Sequence, residues 1–559
     1  MNQTQNPKNQ TGIETQPQKW VFTCSALTCF LIWLAFPPIG VWQVGWIALA
    51  PLAILVSAKK LEGRLPYLKI WFAGLFFWLG TFYFIPIPHP ALWAGWAAIS
   101  IYLACYLPLA VGISRTMHHV ARLPVFVCIP IVWTGLELVR CYLFTGMGLV
   151  CLSHTQYLHP EIIQIADLSG AYGLTFVLAM VAACVGMLLS KSKSRPMLGL
   201  AHLLPAAALV AGVWWYGQLK LNESISEDKS KSVTIAIIQG SVDATLPKTE
   251  EQVAAFRETL VSEYAQLTQR ALYEWTNVDL VLWPEGTWPQ PDLLPDTDFS
   301  RMLEEDKETV RRNQDYYWTQ ALGQNTAVFP EFLTGGVSAD PIDFRQYGAA
   351  LRIDSAGLVT ERYFKNHLVM FGEYVPLAEY IRPLQDIPAI GRGLNAGTES
   401  ITMDFKGVKL APNICFETTV PHFMRRQVND LEAGGDEPDV IVNLTNDGWF
   451  YGTTCLDFHL ACNVFRAVEL RKTNIVCANT GFSAEISDRG EIIQRGPRRK
   501  TGTLLAKVSP RETDSLYREI GDIAPISMAG VSGLFLLIGF ALRTRSWIST
   551  SASNKKRGA

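Results

Sequence analysis

Charged side chains are scarce in this chain. Of its 559 residues only 18% are Asp, Glu, Lys or Arg, while 49% are hydrophobic. An ordinary soluble domain carries about 25% charged residues, so the deficit indicates a membrane protein. Acids are rare between residues 20 and 219, whereas residues 220–520 have the composition of a soluble domain. No basic stripe runs along the chain, and we therefore predict no nucleic-acid partner.

Long apolar runs occur in the parts of the chain that have few charged residues. A hydrocarbon core about 30 Å thick needs about 20 apolar residues in a helix, and eight runs approach that length. The fifth contains Glu137 and Arg140, which either pair one helical turn apart or contact a lipid headgroup, since charge inside a membrane usually has a function. The predicted spans are 20–36, 41–57, 67–87, 92–114, 123–142, 170–190, 197–217 and 526–542.

Lysine and arginine are absent from every second loop between these runs, namely 37–40, 88–91 and 143–169. The loops after the second, fourth, sixth and eighth runs all carry them. By the positive-inside rule, both termini lie in the cytoplasm. Seven runs precede the polar domain, so that domain lies on the opposite face of the membrane.

These patterns divide the chain into six parts. We predict a disordered cytoplasmic tail at 1–19, a seven-helix membrane domain at 20–219, a linker at 220–231, a catalytic domain at 232–510, an eighth transmembrane helix at 526–543 and a cytoplasmic tail at 544–559.

No cysteine spacing resembles a small disulfide framework. Of the eleven cysteines, seven lie in or beside the apolar runs, where Cys behaves as a small hydrophobe. The other four are Cys415, Cys455, Cys462 and Cys477, in a domain predicted to face an oxidising compartment. A thiol that stays unpaired in an oxidising compartment is expected to have a function.

Two further kinds of site lack a complete signature. No G-x-S-x-G motif occurs, which argues against a Ser-His-Asp hydrolase of the common type. Cys455, His459 and Cys462 share one helical face but have no fourth ligand at a suitable spacing. We therefore interpret that face as buried packing and predict neither a metal nor a cofactor.

Strand-length apolar runs alternate with amphipathic helices in the polar domain, and one hairpin is expected at 483–494. This order is typical of an α/β layered sandwich with a mixed sheet. The predicted strands are 233–240, 279–285, 332–339, 408–417, 438–447 and 473–481, and the predicted helices are 249–274, 299–323 and 453–471.

Reactive side chains occur where these short strands meet loops. Glu285 follows "LVLWP", Cys415 stands in "NICFET", and Asp447 stands in "LTNDGWF". Lys365, in "RYFKNHLVMFGEYVP", precedes a turn that contains Glu373. Each residue alone is ordinary: a strand-end Glu is usually solvated, an apolar-run Cys is usually core, and such a Lys is usually a surface charge.

Together, a thiol, a carboxylate and an ammonium form a coherent catalytic set. A thiol is mostly protonated at neutral pH and needs a nearby base or cation to become a nucleophile. A carboxylate can take its proton, and an ammonium can stabilise both the thiolate and a developing oxyanion. The set suits acyl transfer through a thioester.

The segments "LVLWPE", K-N-x-L-V-x-F-G-E-x-V-P, "ICFE" and "NDGWF" resemble the nitrilase superfamily of carbon–nitrogen hydrolases. The second and fourth segments, with eight spans around the domain, resemble the apolipoprotein N-acyltransferase family of bacteria. The resemblance implies a polytopic helical membrane domain with an inserted αββα sandwich. Its Glu-Lys-Cys triad maps onto Glu285, Lys365 and Cys415, with Glu373 and Glu417 as supporting acids.

Two positions depart from the family's pattern. Phe416 stands where the family usually has Tyr, so any role of that hydroxyl is lost. After the "QG" of the first strand, the segment "SVDATLPKTEE" lacks the Trp that the family often has. That loop therefore meets an acyl chain in some other way.

The resemblance also implies the substrates. A glycerophospholipid donates an acyl chain through a Cys thioester to the amine of a diacylated apolipoprotein, at the outer face of the bacterial inner membrane. Both substrates are lipid-anchored, which would explain the apolar loops 374–390 and 448–452, although these loops could instead only cover the sandwich. The predicted contacts with substrate or membrane lipid are Asn446, Asp447, Trp449 and Phe450, and we expect a monomer.

Two other functions remain as alternatives. A membrane-tethered amidase or nitrilase would resolve the thioester with water, but seven preceding spans exceed what a tether needs. A transporter or receptor with a binding domain would not need the triad, and it would place more ionisable groups inside the spans.

Overall fold

The computed structural model describes most of the membrane domain and most of the catalytic domain. The described residues are 20–190, 203–244, 249–288, 292–294, 308, 330–340, 345–376 and 393–557. The predicted tail 1–19, the predicted helix 299–323 and most of the apolar loop 374–390 lie outside them.

Apolar helices form the membrane domain. They are α1 (Trp20–Ala35), α2 (Ala50–Ser57), α3 (Pro66–Thr81), α4 (Leu92–Ala104), α5 (Tyr106–His119), α6 (Val125–Tyr142), α7 (Pro160–Ile163), α8 (Ala166–Ser169), α9 (Ala171–Ser190) and α10 (Leu203–Asn222).

Four stretches among the described residues are long and apolar enough to cross a membrane as helices. They are Leu92–His119, Val125–Tyr142, Ala171–Leu189 and Ile523–Arg545. The count of eight spans is therefore not confirmed. The predicted second span consists of a short 3-10 helix and the eight-residue α2, which begins at a proline-containing first turn. The seventh begins among residues outside the described part of the chain.

The catalytic domain contains two sheets. The strands are β1 (Val233–Gln239), β2 (Leu280–Trp283), β3 (Asp292–Leu293), β4 (Glu331–Asp340), β5 (Arg345–Ile353), β6 (Val359–Phe364), β7 (Met403–Phe405), β8 (Val408–Ile414), β9 (Val440–Thr445), β10 (Thr473–Ala478), β11 (Ala484–Ile486), β12 (Ile492–Arg495) and β13 (Gly502–Val508). The helices are α11 (Glu250–Glu274), α12 (Pro421–Ala433), α13 (Cys455–Leu470), α14 (Leu516–Ile520) and α15 (Ile523–Arg557).

Both sheets contain parallel and antiparallel strands. One runs β13-β1-β2-β4-β5-β6 with β3 beside β4, and the other runs β12-β11-β10-β9-β8-β7. Strands β1, β2 and β4 are parallel, as are β8, β9 and β10. Strand β2 lies in the first sheet and β8 in the second, so the residues that follow them can meet only where the ends of the two packed sheets coincide.

The sheets pack face to face with helices outside them, which confirms the predicted αββα sandwich. Their shared core contains Ile235 and Leu282 from one sheet and Leu410 and Val442 from the other. Helix α11 covers the first sheet with Tyr264 and its neighbours. Helices α12 and α13 cover the second.

Helix α13 is buried on every side, which is rare for a helix in a soluble domain. All sixteen of its residues are buried. One side packs on the second sheet, and the other belongs to a hydrophobic cluster that also contains residues of α1, α2 and α9. The catalytic domain is thus joined to the membrane domain through this helix.

The last helix is longer than predicted at both ends. We predicted the span 526–543 and a tail at 544–559, whereas α15 runs continuously from Ile523 to Arg557. Sequence reasoning also missed β5, β6, β7 and β13, which are short or carry exposed polar residues.

Candidate active site

Glu285, Lys365 and Cys415 come together from three different strands. Glu285 follows β2, Lys365 follows β6, and Cys415 follows β8. The Lys365 Nζ lies 3.2 Å from Glu285 Oε1, and the Cys415 thiol lies near enough to the Glu285 carboxyl for its charge to raise the pKa of the thiol. The base, the cation and the thiol predicted from strand ends therefore share one site.

Lys365 lies between two carboxylates with almost no contact with solvent. Its side chain is 1% exposed, and its Nζ donates to Glu373 Oε1 at 2.6 Å as well as to Glu285. Burial disfavours the charged amine, but Glu285 and Glu373 outweigh burial and hold the pKa of Lys365 well above its usual value. The site thus contains a permanent ammonium.

Glu373 fixes the ammonium in place. While Glu373 Oε1 accepts from Lys365, Oε2 accepts the backbone N–H of Val369 at 2.8 Å. The two bonds orient the carboxylate toward the lysine. Glu373 therefore positions Lys365 and does not contact Cys415.

The Glu285 carboxyl is poised to accept a proton. Burial raises its pKa, and the Glu373 charge adds to that, although Lys365 opposes both. Its second oxygen accepts the backbone N–H of Asn446 at 3.1 Å. A carboxylate with a raised pKa beside a thiol has the chemistry of a general base.

Cys415 has a backbone conformation that is uncommon for a side-chain-bearing residue. Its φ is +51°, in the left-handed region, at the start of the 3-10 turn Cys415–Thr419. Its carbonyl accepts hydrogen bonds from His459 Nε2 at 3.0 Å and Asn443 Nδ2 at 3.3 Å. Such a conformation persists only where the surroundings hold it, and it is frequent at active sites.

Cys415 is a thiol and not a thiolate. Burial raises the pKa of Cys415 well above its ordinary value, and the negative Glu285 raises it further, against Lys365. The proton therefore stays on sulfur at neutral pH.

His459 was interpreted from the sequence as part of a buried helix face, and the structure shows a more specific arrangement. Its Nε2 donates to the Cys415 carbonyl, and its Nδ1 lies 3.1 Å from Asp447 Oδ1. Both ring nitrogens face acceptors, so both carry protons. Burial lowers the pKa of His459, but Asp447 outweighs burial and raises it. Sequence reasoning missed this support because it depends on how α13 packs.

Glu417 supports the site from within the core. One of its oxygens accepts the backbone N–H groups of Asn366 and His367, the other accepts that of Ile414, and both lie within 3.0 Å of the Tyr363 hydroxyl. Burial raises the pKa of Glu417 to about 7. The carboxyl ties the Lys365 segment to the Cys415 segment.

Phe416 occupies an apolar position instead of facing a polar partner. It packs against the cluster formed by Val420 and Phe423, and its ring stacks on His367 with centroids 5.8 Å apart. The His367 Nε2 in turn donates to the Thr145 carbonyl at 2.7 Å. Thr145 belongs to the loop after α6. The membrane domain therefore contacts His367, which lies two residues after Lys365 and stacks on Phe416, the residue next to Cys415.

The other predicted substrate contacts lie close to the site, and two are engaged within the protein. The Asn446 side chain accepts from Gly448 N and from Asn479 Nδ2, and Asp447 lies against His459. Trp449 is half-buried. Phe450 is also half-buried and meets Phe84 of the membrane domain edge to face, with centroids 5.3 Å apart.

Glu137 and Arg140 do not form an ion pair, which was one of the two alternatives for them. Glu137 accepts from Trp133 Nε1, the backbone N–H of Leu152 and the Thr175 hydroxyl. Arg140 donates from one amino group to the Val150 carbonyl and the Cys151 sulfur. Both side chains therefore bond to the loop that follows α6, Glu137 at Leu152 and Arg140 at Val150 and Cys151.

Two family models match the chain in tandem. The model described as carbon–nitrogen hydrolase matches residues 234–518, and the model described as apolipoprotein N-acyltransferase N-terminal domain matches residues 28–184.

Curated relatives match over almost their whole length. The chain is 28% identical to the apolipoprotein N-acyltransferase of Rhodopirellula baltica, covering 95% of this chain and 98% of that protein. It is 28% identical to the enzyme of that name from Geobacter metallireducens, covering 94% and 96%. Among solved structures, Saccharomyces cerevisiae Nit3 of the nitrilase superfamily aligns over 51% of this chain and 93% of its own, with 17% identity and a TM-score of 0.35.

Proposed function

The chain belongs to the carbon–nitrogen hydrolase family and, within it, to the apolipoprotein N-acyltransferases, and we propose that Cys415 carries the acyl chain between its two substrates. The enzyme moves a fatty acyl chain from a glycerophospholipid to the α-amine of the diacylglyceryl-Cys of an apolipoprotein. One observation carries the site assignment: Lys365 is buried between Glu285 and Glu373, and the Glu285 charge acts on the neighbouring Cys415 thiol.

In the first half-reaction Glu285 takes the proton from Cys415 as the sulfur attacks the ester carbonyl of the phospholipid. The new C–S bond leaves negative charge on the carbonyl oxygen. Lys365 and the backbone N–H of Phe416 stabilise that oxyanion. When the C–O bond breaks, Glu285 returns the proton to the departing alkoxide, and a lysophospholipid leaves.

In the second half-reaction the amine of the apolipoprotein attacks the thioester carbonyl. Glu285 takes a proton from the attacking nitrogen, the C–S bond breaks, and the sulfur recovers the proton from Glu285. The raised pKa of Glu285 suits this shuttle, because the same carboxyl must both accept and give up a proton near neutral pH. The product is an amide, and the enzyme returns to its resting thiol.

We test the nucleophile with purified full-length protein in micelles and a phospholipid labelled in its acyl chain. Wild type should acquire label that hydroxylamine releases, and a diacylated lipopeptide should then take the label onto its amine. Cys415→Ala should acquire none. Cys477→Ala is the matched control, since Cys477 is a buried thiol of the same domain at the sheet interface.

Two results would contradict the proposal. Transfer by Cys415→Ala would show that another group carries the acyl chain. Release of the label only as free fatty acid, with lipopeptide present, would identify a hydrolase that resolves the thioester with water.

We also propose that eight spans place the catalytic domain on the outer face of the inner membrane, with both termini in the cytoplasm and a monomer as the working unit. The absence of Lys and Arg from alternate loops supports this orientation.

The orientation is tested with a membrane-impermeant maleimide. Tyr273→Cys places a thiol at a side chain that is 91% exposed in the catalytic domain, and Lys60→Cys places one in the exposed loop after α2. In whole bacteria whose outer membrane alone is permeable, only Tyr273→Cys should gain label over wild type. Equal labelling of Lys60→Cys would overturn the proposed topology.

A further inference from the structure

A cleft inside the membrane domain lies apart from the catalytic residues. It is bounded by α1, α3, α5, α6 and the chain at Val150 and Leu152, is open at its mouth, and has a cavity volume of about 60 Å³. None of Glu285, Lys365 and Cys415 lines it. Trp78, Leu107 and Ala110 are among the residues that form its apolar wall.

One wall of this cleft carries a guanidinium that lacks a carboxylate partner among the described residues. Arg140 is 4% exposed, and its bonds to the loop use a single amino group, Nη2. Its Nε is enclosed without a partner, and its Cζ lies 5.4 Å from the centre of the Trp78 ring. The second amino group, Nη1, donates to no group within the described part of the chain and is not enclosed by it.

Glu137 is the acid nearest in sequence, and it does not satisfy Arg140. Its two oxygens already accept three hydrogen bonds, from Trp133, Leu152 and Thr175. Tyr106 also lines the cleft, but its hydroxyl is paired with that of Tyr102 at 2.6 Å. Burying a charged donor without an acceptor is costly, so this geometry calls for an acceptor from outside the protein.

We propose that the cleft binds an anionic amphiphile, whose acyl chain lies along the Trp78 and Leu107 wall and whose head oxygen accepts from Arg140 Nη1. An apolar cleft within a bilayer takes up hydrocarbon in place of water. A phosphate or carboxylate oxygen accepts a charge-assisted hydrogen bond from the guanidinium. The head group is either the phosphate of a phospholipid or the carboxylate of a fatty acid. This site is separate from the acyl-transfer site and does not depend on it.

The site is tested by photo-crosslinking on the purified full chain in micelles. Three diazirine-labelled probes are compared: palmitic acid, phosphatidylglycerol and the neutral palmityl alcohol. Crosslinks to peptides of α3 and α5 report the cleft, while crosslinks to the Ile523–Arg545 part of α15, which is only 11% buried, report bulk lipid. We expect at least one anionic probe to label the cleft about tenfold more than the alcohol does, with equal labelling of α15. Whichever anionic probe is preferred identifies the head group.

Three variants test the charge of Arg140 and the space in the cleft separately. Arg140→Gln should reduce cleft labelling by the anionic probe to the level of the alcohol, whereas Arg140→Lys should keep most of it. Ala110→Phe fills the apolar wall and leaves the guanidinium, so it should abolish labelling of the cleft by every probe. Equal labelling by the alcohol and both anionic probes in wild type would overturn the proposal. So would cleft labelling in Ala110→Phe that matches wild type, even where Arg140→Gln fails to fold.

Discussion

At the scale of single residues, the charge on Lys365 depends on two neighbours with different tasks. The Glu285 charge acts on Cys415, from which we propose that it takes a proton, whereas Glu373 holds the ammonium. Glu373 also acts on Glu285 through space, since its negative charge raises the pKa of the Glu285 carboxyl. One acid therefore tunes the other without touching the substrate.

Glu373→Gln should separate these effects. Removing the charge lowers the pKa of Glu285, so the acid limb of the kcat/KM profile should move to lower pH. Loss of a charge-assisted bond to a buried ammonium, worth roughly 1.5–3 kcal/mol, should also reduce kcat about 10- to 100-fold. The measurement is the pH dependence of acyl transfer to a lipopeptide.

The matched control is Glu361→Gln. Glu361 also pairs with a cation, Arg352, but its side chain is 37% exposed and away from the site. That variant should keep the wild-type pH profile. An acid limb that stays in place in Glu373→Gln, or moves to higher pH, would show that Glu373 does not control Glu285.

At the scale of elements, the loop that joins α6 to the next short helix contacts the catalytic domain beside the nucleophile. His367 donates to the Thr145 carbonyl, and the Tyr142 ring stacks on His422 with centroids 3.9 Å apart. Gly148 packs on the Thr419 carbonyl, in the same 3-10 turn as Cys415. The membrane domain therefore shapes the nucleophile's turn directly.

Gly148→Ala should disturb that turn. A Cβ at Gly148 would lie 1.9 Å from the Thr419 carbonyl oxygen, so either the loop or the nucleophile's turn must move. Overpacking of this kind costs roughly 1–3 kcal/mol. We expect a lower melting temperature and a lower kcat, measured by thermal unfolding in micelles and by acyl transfer.

Gly80→Ala is the control for this change. Gly80 lies in α3, and an added Cβ there meets nothing within 4 Å, so the change should be neutral or stabilise the helix by roughly 0.5–1 kcal/mol. If Gly148→Ala leaves both stability and kcat at the wild-type values, the loop does not support the nucleophile's turn.

The strand ends show how far sequence reasoning reaches. Glu285 and Cys415 could be singled out because each follows a short apolar strand, but β2 and β8 belong to different sheets, so their meeting depends on how the sheets pack. Lys365 could be singled out only as a residue before a turn, since β6 carries polar residues that obscure its strand pattern, and its role in the triad came from the resemblance. The roles of His459 and Thr145 could not be predicted from the sequence, because they arise only when α13 packs between the second sheet and the membrane helices.

At the scale of the whole molecule, a buried carboxylate joins segments that are far apart in sequence. Asp167, in α8, accepts from the Tyr216 hydroxyl of α10 at 2.8 Å and from Arg471, which follows α13, at 2.6 Å. Its carbonyl accepts from the Ser515 hydroxyl that precedes α14. The Asp167 and Arg471 side chains are only 3% and 5% exposed. One acid thus fixes the catalytic domain on the membrane domain.

Asp167→Asn should weaken that junction. Breaking a buried pair leaves the other charge uncompensated and costs roughly 3–5 kcal/mol. The melting temperature in micelles should fall, and proteolysis near Arg471 should become faster. Because the pair is buried, added salt should change the wild-type melting temperature little.

Glu223→Gln breaks a pair of the same kind at the surface. The Lys220 and Glu223 side chains are 27% and 54% exposed, and such pairs contribute about 0–1 kcal/mol. A loss of stability in Asp167→Asn no larger than in Glu223→Gln would show that α13 packing alone holds the two domains together. A larger loss would show that the apolar contacts of α13 need this charged anchor, so the attachment of the catalytic domain depends on a residue of the membrane domain.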